Sequence, residues 1–520
     1  MSAIVTDKFR ILNANNFVDS VINIANSYYV FVGLPNPSLN GFGRSNNWNP
    51  VNSGDLDIPD PIDNIQYLNH YRDTAIFGKK VSSSNIRRII RRIDWTANVK
   101  YEMYRNDYSI LNQSPISNSS RLYDTNYYVM NSDYKIYICI DNGSSGSNIK
   151  GNGSKDEPTF TDLEPSAAGV SGDGYLWKYL FTVSPSDIIK FDSTEYVAVP
   201  NDWRSTADSQ IVSVRENGDS SVNFNQIKKV YIANGGSGYN TGEVNISGDG
   251  SGGKVLIEVD SAGSIISTTV TAGGSGYTYG IVDLGSLQPQ GSLPNPAKLI
   301  VIIPPSKGHG YDLYSELGTD KVLIYARFDD STKDFPTDTK FSQIGILKNP
   351  TSYSSTSVFT QNQYSSLYSI KLTSSFNGSP VIGEEISQIV TGGKARGYVA
   401  SYDSITKVLK YFRDRSLYFG TAGYIDETDY ISSDSRIPEV LEFQSSTNTI
   451  SPFSGSIDTT FSSDKVTVGS KVIDLGVSFL GGLANPEINK ESGDVIYIDN
   501  RPLVSRSSRQ KEDIKIILEF

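Results

Sequence analysis

From about Tyr123 onward helical periodicity nearly disappears from this sequence. Its apolar residues fall instead into short runs of Tyr, Val, Ile and Phe, separated by Gly, Ser, Asn and Asp. Runs of this kind suit a pleated, half-buried surface, and the residues between them are those that reverse a chain. The spans 126–130, 135–140, 176–183 and 195–199 therefore read as strands. At 520 residues the chain exceeds the roughly 250 at which single cores stop growing, so several domains are expected. The expected fold class is mainly β: β-sandwich-like and multi-domain, with a few short helices near the N-terminus and small β-rich inserted modules.

The helical signals lie early. Leu12, Phe17, Val21, Ile22 and Ala25 predict a short amphipathic helix over 14–26, and 27–33 reads as a strand. Pro, Asn, Gly and Asp crowd 35–61, which predicts a long loop. Ser84 can cap a second helix that places Ile86, Ile89, Ile90 and Ile93 on one face and Arg87, Arg88, Arg91 and Arg92 elsewhere. Those four arginines are the candidates for subunit contact, since guanidinium grips carboxylates in a bidentate fork. A solvated helix face paired with local carboxylates is the plainer alternative. At the other end Val495–Ile498 and 514–520 read as strands, the second too densely apolar for an exposed edge.

Between 225 and 290 the texture changes to β-branched runs set among Gly-Ser clusters. Asn234-Gly-Gly-Ser-Gly-Tyr239 returns as Ala272-Gly-Gly-Ser-Gly-Tyr277, 38 residues later. One repeated spacing does not make a solenoid, which needs about three units, so a small inserted β domain with pseudo-repeats is expected. Its glycines allow positive φ and its tyrosines can cover the turns. A second such module is expected within 360–415, where Glu385–Val390, 396–402 and 407–412 alternate as strands.

Few residues offer chemistry. Lys plus Arg total 46 against 57 for Asp plus Glu, a formal charge of −11, so nucleic acid is not expected as a partner. The single cysteine, Cys139, rules out an intramolecular disulfide or a thiolate metal cluster, and its apolar flanks read as a buried strand. Gly248-Asp-Gly-Ser-Gly-Gly253-Lys254 has the glycines of a phosphate loop. It runs into the alternating Val255–Asp260 rather than a helix, so no nucleotide or other cofactor is expected. Of the two histidines, His70 has no partner at metal spacing, and His309 reads as a turn histidine bonded to backbone. Asp55, Asp57, Asp60 and Asp63 lack the spacing and central glycine of a calcium loop, so no metal is expected. The paired carboxylates of a glycan hydrolase cannot be located by spacing, because they come from separate strands. No catalytic residue is assigned and an enzyme is not expected. There is no charged leader followed by an apolar core, and no apolar run approaches about 18 residues. Synthesis and folding in a cytoplasm, with no membrane span, are the expectation.

Ordered phrases run the length of the chain: Ile4-Val-Thr-Asp-Lys-Phe-Arg10; Phe42-Gly-Arg-Ser45 with Trp48; Arg91-Arg-Ile-Asp-Trp95; Ile138-Cys-Ile-Asp141; Gly172-Asp-Gly-Tyr-Leu-Trp-Lys-Tyr-Leu-Phe181; Glu195-Tyr-Val-Ala-Val-Pro200; Phe341-Ser-Gln-Ile-Gly-Ile-Leu-Lys-Asn-Pro350; and Ser492-Gly-Asp-Val-Ile-Tyr-Ile-Asp-Asn-Arg-Pro502. In these the sequence resembles the baseplate wedge subunit of T-even-type contractile-tailed bacteriophages, the gene product 8 type of wedge protein, enlarged by insertions. The resemblance implies a family core in 1–205 with 298–350 and 488–520, a glycine-rich repeat insertion at 225–292, and a second inserted β region at 355–480. It also implies a structural virion protein of the tail baseplate, assembled in the host bacterial cytoplasm. Such a subunit forms a homodimer and joins other wedge proteins in the assembly that triggers sheath contraction. The alternatives are a carbohydrate-binding tail or fibre module, with host glycan bound by the insertions, and a tail-associated glycan hydrolase.

Overall fold

Among the described residues strands make up 42% and helices 11%, so the chain is a mainly β, multi-sheet protein. The computed structural model describes residues 5–33, 72, 74–218, 224–288, 295–329, 340–381, 384–390, 393–413, 442–445, 449–505 and 510–520. The loop expected at 35–61, the four aspartates Asp55 to Asp63, His70 and the phrase at 42–48 lie outside the described residues. The chain divides into two compact units, one of residues 1–18, 87–323 and 517–520, the other of 19–86 and 324–516.

The first unit is organised on an antiparallel sheet, Tyr128–Met130, Lys135–Asn142 and Tyr175–Thr182 in that order, which sets Ile138 between Tyr128 and Lys178. Its core is rich in aromatics. Tyr175 stacks on Trp177 with centroids 5.3 Å apart, and Tyr101 meets the same indole edge-on at 5.8 Å. Rings of this size bury the most apolar area per residue ordered, and offset or edge contacts contribute roughly 1 kcal/mol beyond it. Cys139 lies fully buried among them, and burial raises its thiol pKa well above the ordinary value. Ser184 caps the helix Pro185–Phe191: its hydroxyl accepts from the Asp187 amide at 3.2 Å, with proline at the first helical position.

The helix expected from Ser84 is a strand. Ile86–Arg91 pairs antiparallel with Tyr196–Val199, setting Arg88 opposite Val199 and Ile90 opposite Val197, while Ser83–Asn85 forms one 3₁₀ turn. Isoleucines at 86, 89, 90 and 93 fit a strand buried on both faces as well as they fit a helix. β-branching and a partner strand decide for the former. The first helix spans Asp7–Ile22 rather than 14–26. The Thr6 hydroxyl accepts from the Phe9 amide, and the buried stripe is Ile11, Ala14, Val18 and Val21.

The glycine-rich region forms a barrel-like module of six strands: β1 (Lys229–Asn234), β2 (Gly242–Gly248), β3 (Ser251–Val259), β4 (Ile265–Ser275), β5 (Gly280–Val282) and β6 (Lys298–Ile302). The pairs are β1 with β6, β3 with β4, and β2 with both β3 and β5, all antiparallel. β4 packs beside β1 and β5 beside β6, so the six strands enclose one apolar core. The lysine after the glycine cluster, Lys254, sits within strand β3, and no helix follows the glycines.

The second unit holds a five-stranded antiparallel sheet in the order Gln363–Ser365, Ala75–Val81, Tyr28–Gly33, Lys340–Lys348, Asp494–Ser505. Tyr28–Gly33, at its centre, is buried throughout, as its continuous apolar run requires. A second five-stranded sheet, with Glu385–Val390 at one edge and Leu483–Ala484 at the other, surrounds its own core of Ile370, Ile386, Val399 and Leu409. The expectation that 514–520 is a covered strand is corrected. Glu512–Glu519 ends its sheet and alternates, with Ile514 and Ile516 inward and Ile517 41% exposed. Its charged residues at 513, 515 and 519 supply the polar face of an edge strand.

Candidate assembly surface and a buried polar cluster

The four arginines named from the sequence stand on or just beyond the strand Ile86–Arg91, and side alternation sends them in different directions. Arg87 forms a two-pronged pair with Asp187, Nε to Oδ2 at 3.0 Å and Nη2 to Oδ1 at 2.9 Å, above the Phe191 ring. Arg88 is 2% exposed. Its Nε donates to Asn15 Oδ1 at 2.6 Å, and its guanidinium lies 4.1 Å from the Tyr314 ring centroid. Arg92 pairs with Asp94 and Asp192, and Arg91 donates to the Thr125 carbonyl at 2.9 Å. The structure thus uses these side chains to tie the strand to its neighbours. Arg91 is the one of the four that is exposed.

His309 is bonded to a carboxylate, not to backbone as the sequence suggested. It lies in a turn that places Lys307, Gly308 and Gly310 at φ of 67°, 90° and 90°. This aims the buried imidazole at Glu316, with Nδ1 to Oε1 at 2.6 Å. The Gly310 amide donates to the other carboxylate oxygen at 2.7 Å, and Tyr104 covers the ring edge-on at 4.8 Å. Beside them Lys178, 3% exposed, donates to the Leu163 carbonyl at 2.5 Å. Burial lowers its pKa to about 8, with Glu164 and Glu316 opposing that shift. Lys178 and His309, with Glu164, Asn217, Gln226 and Lys228, line a pocket of about 230 Å³ including its open mouth. Lys228 meets Glu164 there at 2.7 Å. Chemically this is an amine easily made neutral beside an imidazole oriented by a carboxylate. Among the described residues no group of three or more His, Cys, Asp and Glu is placed to hold a metal.

One surface feature is not among those expected from the sequence. Ile110 and Leu111, 82% and 97% exposed, form the tip of a turn closed by reciprocal backbone bonds between Ser109 and Asn112. The base of that turn is stiff: Arg105 is buried, makes a bidentate pair with Asp107 at 2.9 and 2.7 Å, and stacks 4.0 Å from the Tyr231 ring centroid. Two adjacent apolar residues inside the polar stretch 105–120 were the available signal.

No family model matches the sequence. The chain is similar to the baseplate wedge protein gp8 of Enterobacteria phage T4, at 26% identity over 219 residues, which covers 38% of this chain. It spans 60% of that relative's length. The similarity is distant and supports a baseplate-related family. Among the described residues no helix is long and apolar enough to cross a membrane.

Proposed function

We propose that this chain is a structural subunit of a phage tail baseplate wedge, dimerising and joining other wedge proteins in the assembly that triggers sheath contraction. The observation that carries the reading is the 219-residue similarity to a wedge protein, set in a multi-sheet β fold. We read the protein as non-enzymatic and place it in the virion tail, assembled in the host cytoplasm. Rigid sheets presenting turn tips suit a part that must hold one set of contacts and then exchange it. The exposed Ile110–Leu111 tip is our first candidate for such a contact.

The glycan-binding alternative drew on the glycine-tyrosine repeats. Tyr239 and Tyr277 are 4% and 0% exposed, with hydroxyls taken by the Ala297 and Gly253 amides, so neither ring can serve as a stacking platform. The test is reconstitution of the purified chain with the other wedge proteins of its phage, followed by cryo-microscopy of the tail. Stoichiometric incorporation supports the proposal, and a chain that stays apart from every tail protein sinks it.

A further inference from the structure

The repeated phrase of the six-stranded module extends well beyond six residues. Positions 38 apart carry the same backbone geometry: φ is 60° and 62° at Gly236 and Gly274, 84° and 78° at Gly238 and Gly276, and 47° and 70° at Asn225 and Gly263. They also make the same bonds. The Ile227 amide donates to the Gly273 carbonyl at 3.0 Å and the Ile265 amide to the Gly235 carbonyl at 2.9 Å. Gly276 likewise donates to Phe224, and Gly238 to Ala262.

After Leu284 the second copy is six residues longer, and the correspondence resumes at an offset of 44. Val255 opposite Val270 and Ile257 opposite Thr268 match Leu299 opposite Ile232 and Val301 opposite Val230. Even the irregularity recurs, between Lys254 and Val255 and between Lys298 and Leu299. Tyr277 accepts from the Gly253 amide, and Tyr239 from that of Ala297, the residue equivalent to Gly253. The core pairs off in the same way, as Ile227 with Ile265, Val244 with Val282, and Ile257 with Val301.

The copies are β1–β2–β3 and β4–β5–β6, and what holds them runs mostly between them. β1 pairs with β6, β3 with β4, and β2 with β5. Each tyrosine cap also crosses from one copy to the other. Neither copy alone can satisfy its strand edges or cover its apolar face, which is the condition for an isologous, self-complementary contact. The covalent link between them is the turn 260–264, where Asp260 Oδ1 accepts from the Ala262 and Ser264 amides, both at 2.9 Å.

We infer that residues 224–303 are a fused dimer, two copies of one 38-residue unit whose interaction surface fits a second copy of itself. The halves close within one chain because the turn lets β4 fold back on β3. Deprived of that turn, each half recruits the complementary half of a second chain.

The full chain carrying Leu256→Cys and Thr269→Cys, which stand opposite each other on β3 and β4, tests this with a short thiol cross-linker. Cys139 is fully buried and stays out of the reaction. The link is expected within single chains when the turn is intact. After deletion of residues 260–264, which leaves fewer than the about two residues a hairpin needs, it is expected between chains, doubling the mass on a denaturing gel. Links still formed within single chains, or none at all, overturn the inference. A second variant tests equivalence without touching the turn: Leu284→Ile, Leu299→Val and Val301→Ile place the first copy's residues at three core positions of the second. Its thermal midpoint should stay within about 5 °C of the parent with the internal link retained, as volume-conserving exchanges allow. Loss of that link overturns the claim.

Discussion

Arg88 and Arg91 are three positions apart on one strand and have opposite surroundings. Arg88 is enclosed by Asn15, Asn201 and the Tyr314 ring, so Arg88→Ala strands two half-buried amide oxygens and opens a cavity where the buried guanidinium stood. A loss of roughly 2–4 kcal/mol in unfolding free energy is expected by denaturant titration. Arg91→Ala should stay within about 1 kcal/mol of the parent, because an exposed side chain gives up little. Equal losses at the two positions would contradict the placement. The arginine cluster was legible as a cluster, but its division was not, because whether neighbouring side chains share a face depends on helix or strand and the isoleucines allowed both. Lys178 gives a pH signature. Its pKa falls from 10.5 to about 8 on folding. Below pH 8 the ammonium is charged in both states and the penalty of burying it is fully present. Between pH 8 and 10.5 the unfolded chain binds the extra proton, so this group raises stability as pH rises. Lys178→Met should abolish that rise and stabilise the protein near pH 7 by at most roughly 3 kcal/mol, less about 1 kcal/mol for the bond to Leu163. Parallel stability curves for parent and variant across pH 8–10.5 would refute the shift.

At the scale of elements, the strands of the first unit were legible because alternating Tyr, Val and Ile between turn residues leave few other packings. The expected 135–140 and 176–183 are Lys135–Asn142 and Tyr175–Thr182. The repeat was legible as a phrase but not as a closed module. Its sixth strand follows a six-residue length difference, and the register that identifies it is a property of pairing rather than of spacing. His309 was placed correctly in a turn, yet its partner Glu316 had no local signal, because the turn itself brings the two together. The Ile110–Leu111 tip went unread because two exposed apolar residues look like any short buried run until a turn is seen beneath them. Its buttress of Arg105, Asp107 and Tyr231 lies below the tip, so Ile110→Asp with Leu111→Asp should leave the thermal midpoint within about 2 °C of the parent. The same variant should weaken wedge reconstitution by roughly tenfold or more, the cost of putting charge where an apolar contact forms. Unchanged assembly would remove this tip from the contact surface.

At the scale of the whole molecule, the chain passes between its two units at 18/19, 86/87, 323/324 and 516/517, so neither unit is one continuous stretch of sequence. This division has no mark in the sequence, because a unit boundary inside a strand such as Lys321–Phe328 carries no change of composition. The interleaving has a measurable consequence. The first unit takes Ile11, 3% exposed, from residues 1–18, and its Glu519 carboxylate, 3.1 Å from Lys321, from residues 517–520. Phe520 packs against Phe17 with centroids 5.5 Å apart. A fragment of residues 87–323 lacks all three, and uncovering the surface under one isoleucine alone costs roughly 2–3 kcal/mol. That fragment is therefore expected to melt well below the full chain, by about 10 °C or more, with earlier hydrogen exchange in the aromatic core around Trp177. Supplying residues 1–18 on a flexible linker should restore part of the difference. If the bare fragment instead melts with the full chain and protects Trp177 equally, the unit is complete within 87–323 and the outer segments are only fastened to its surface.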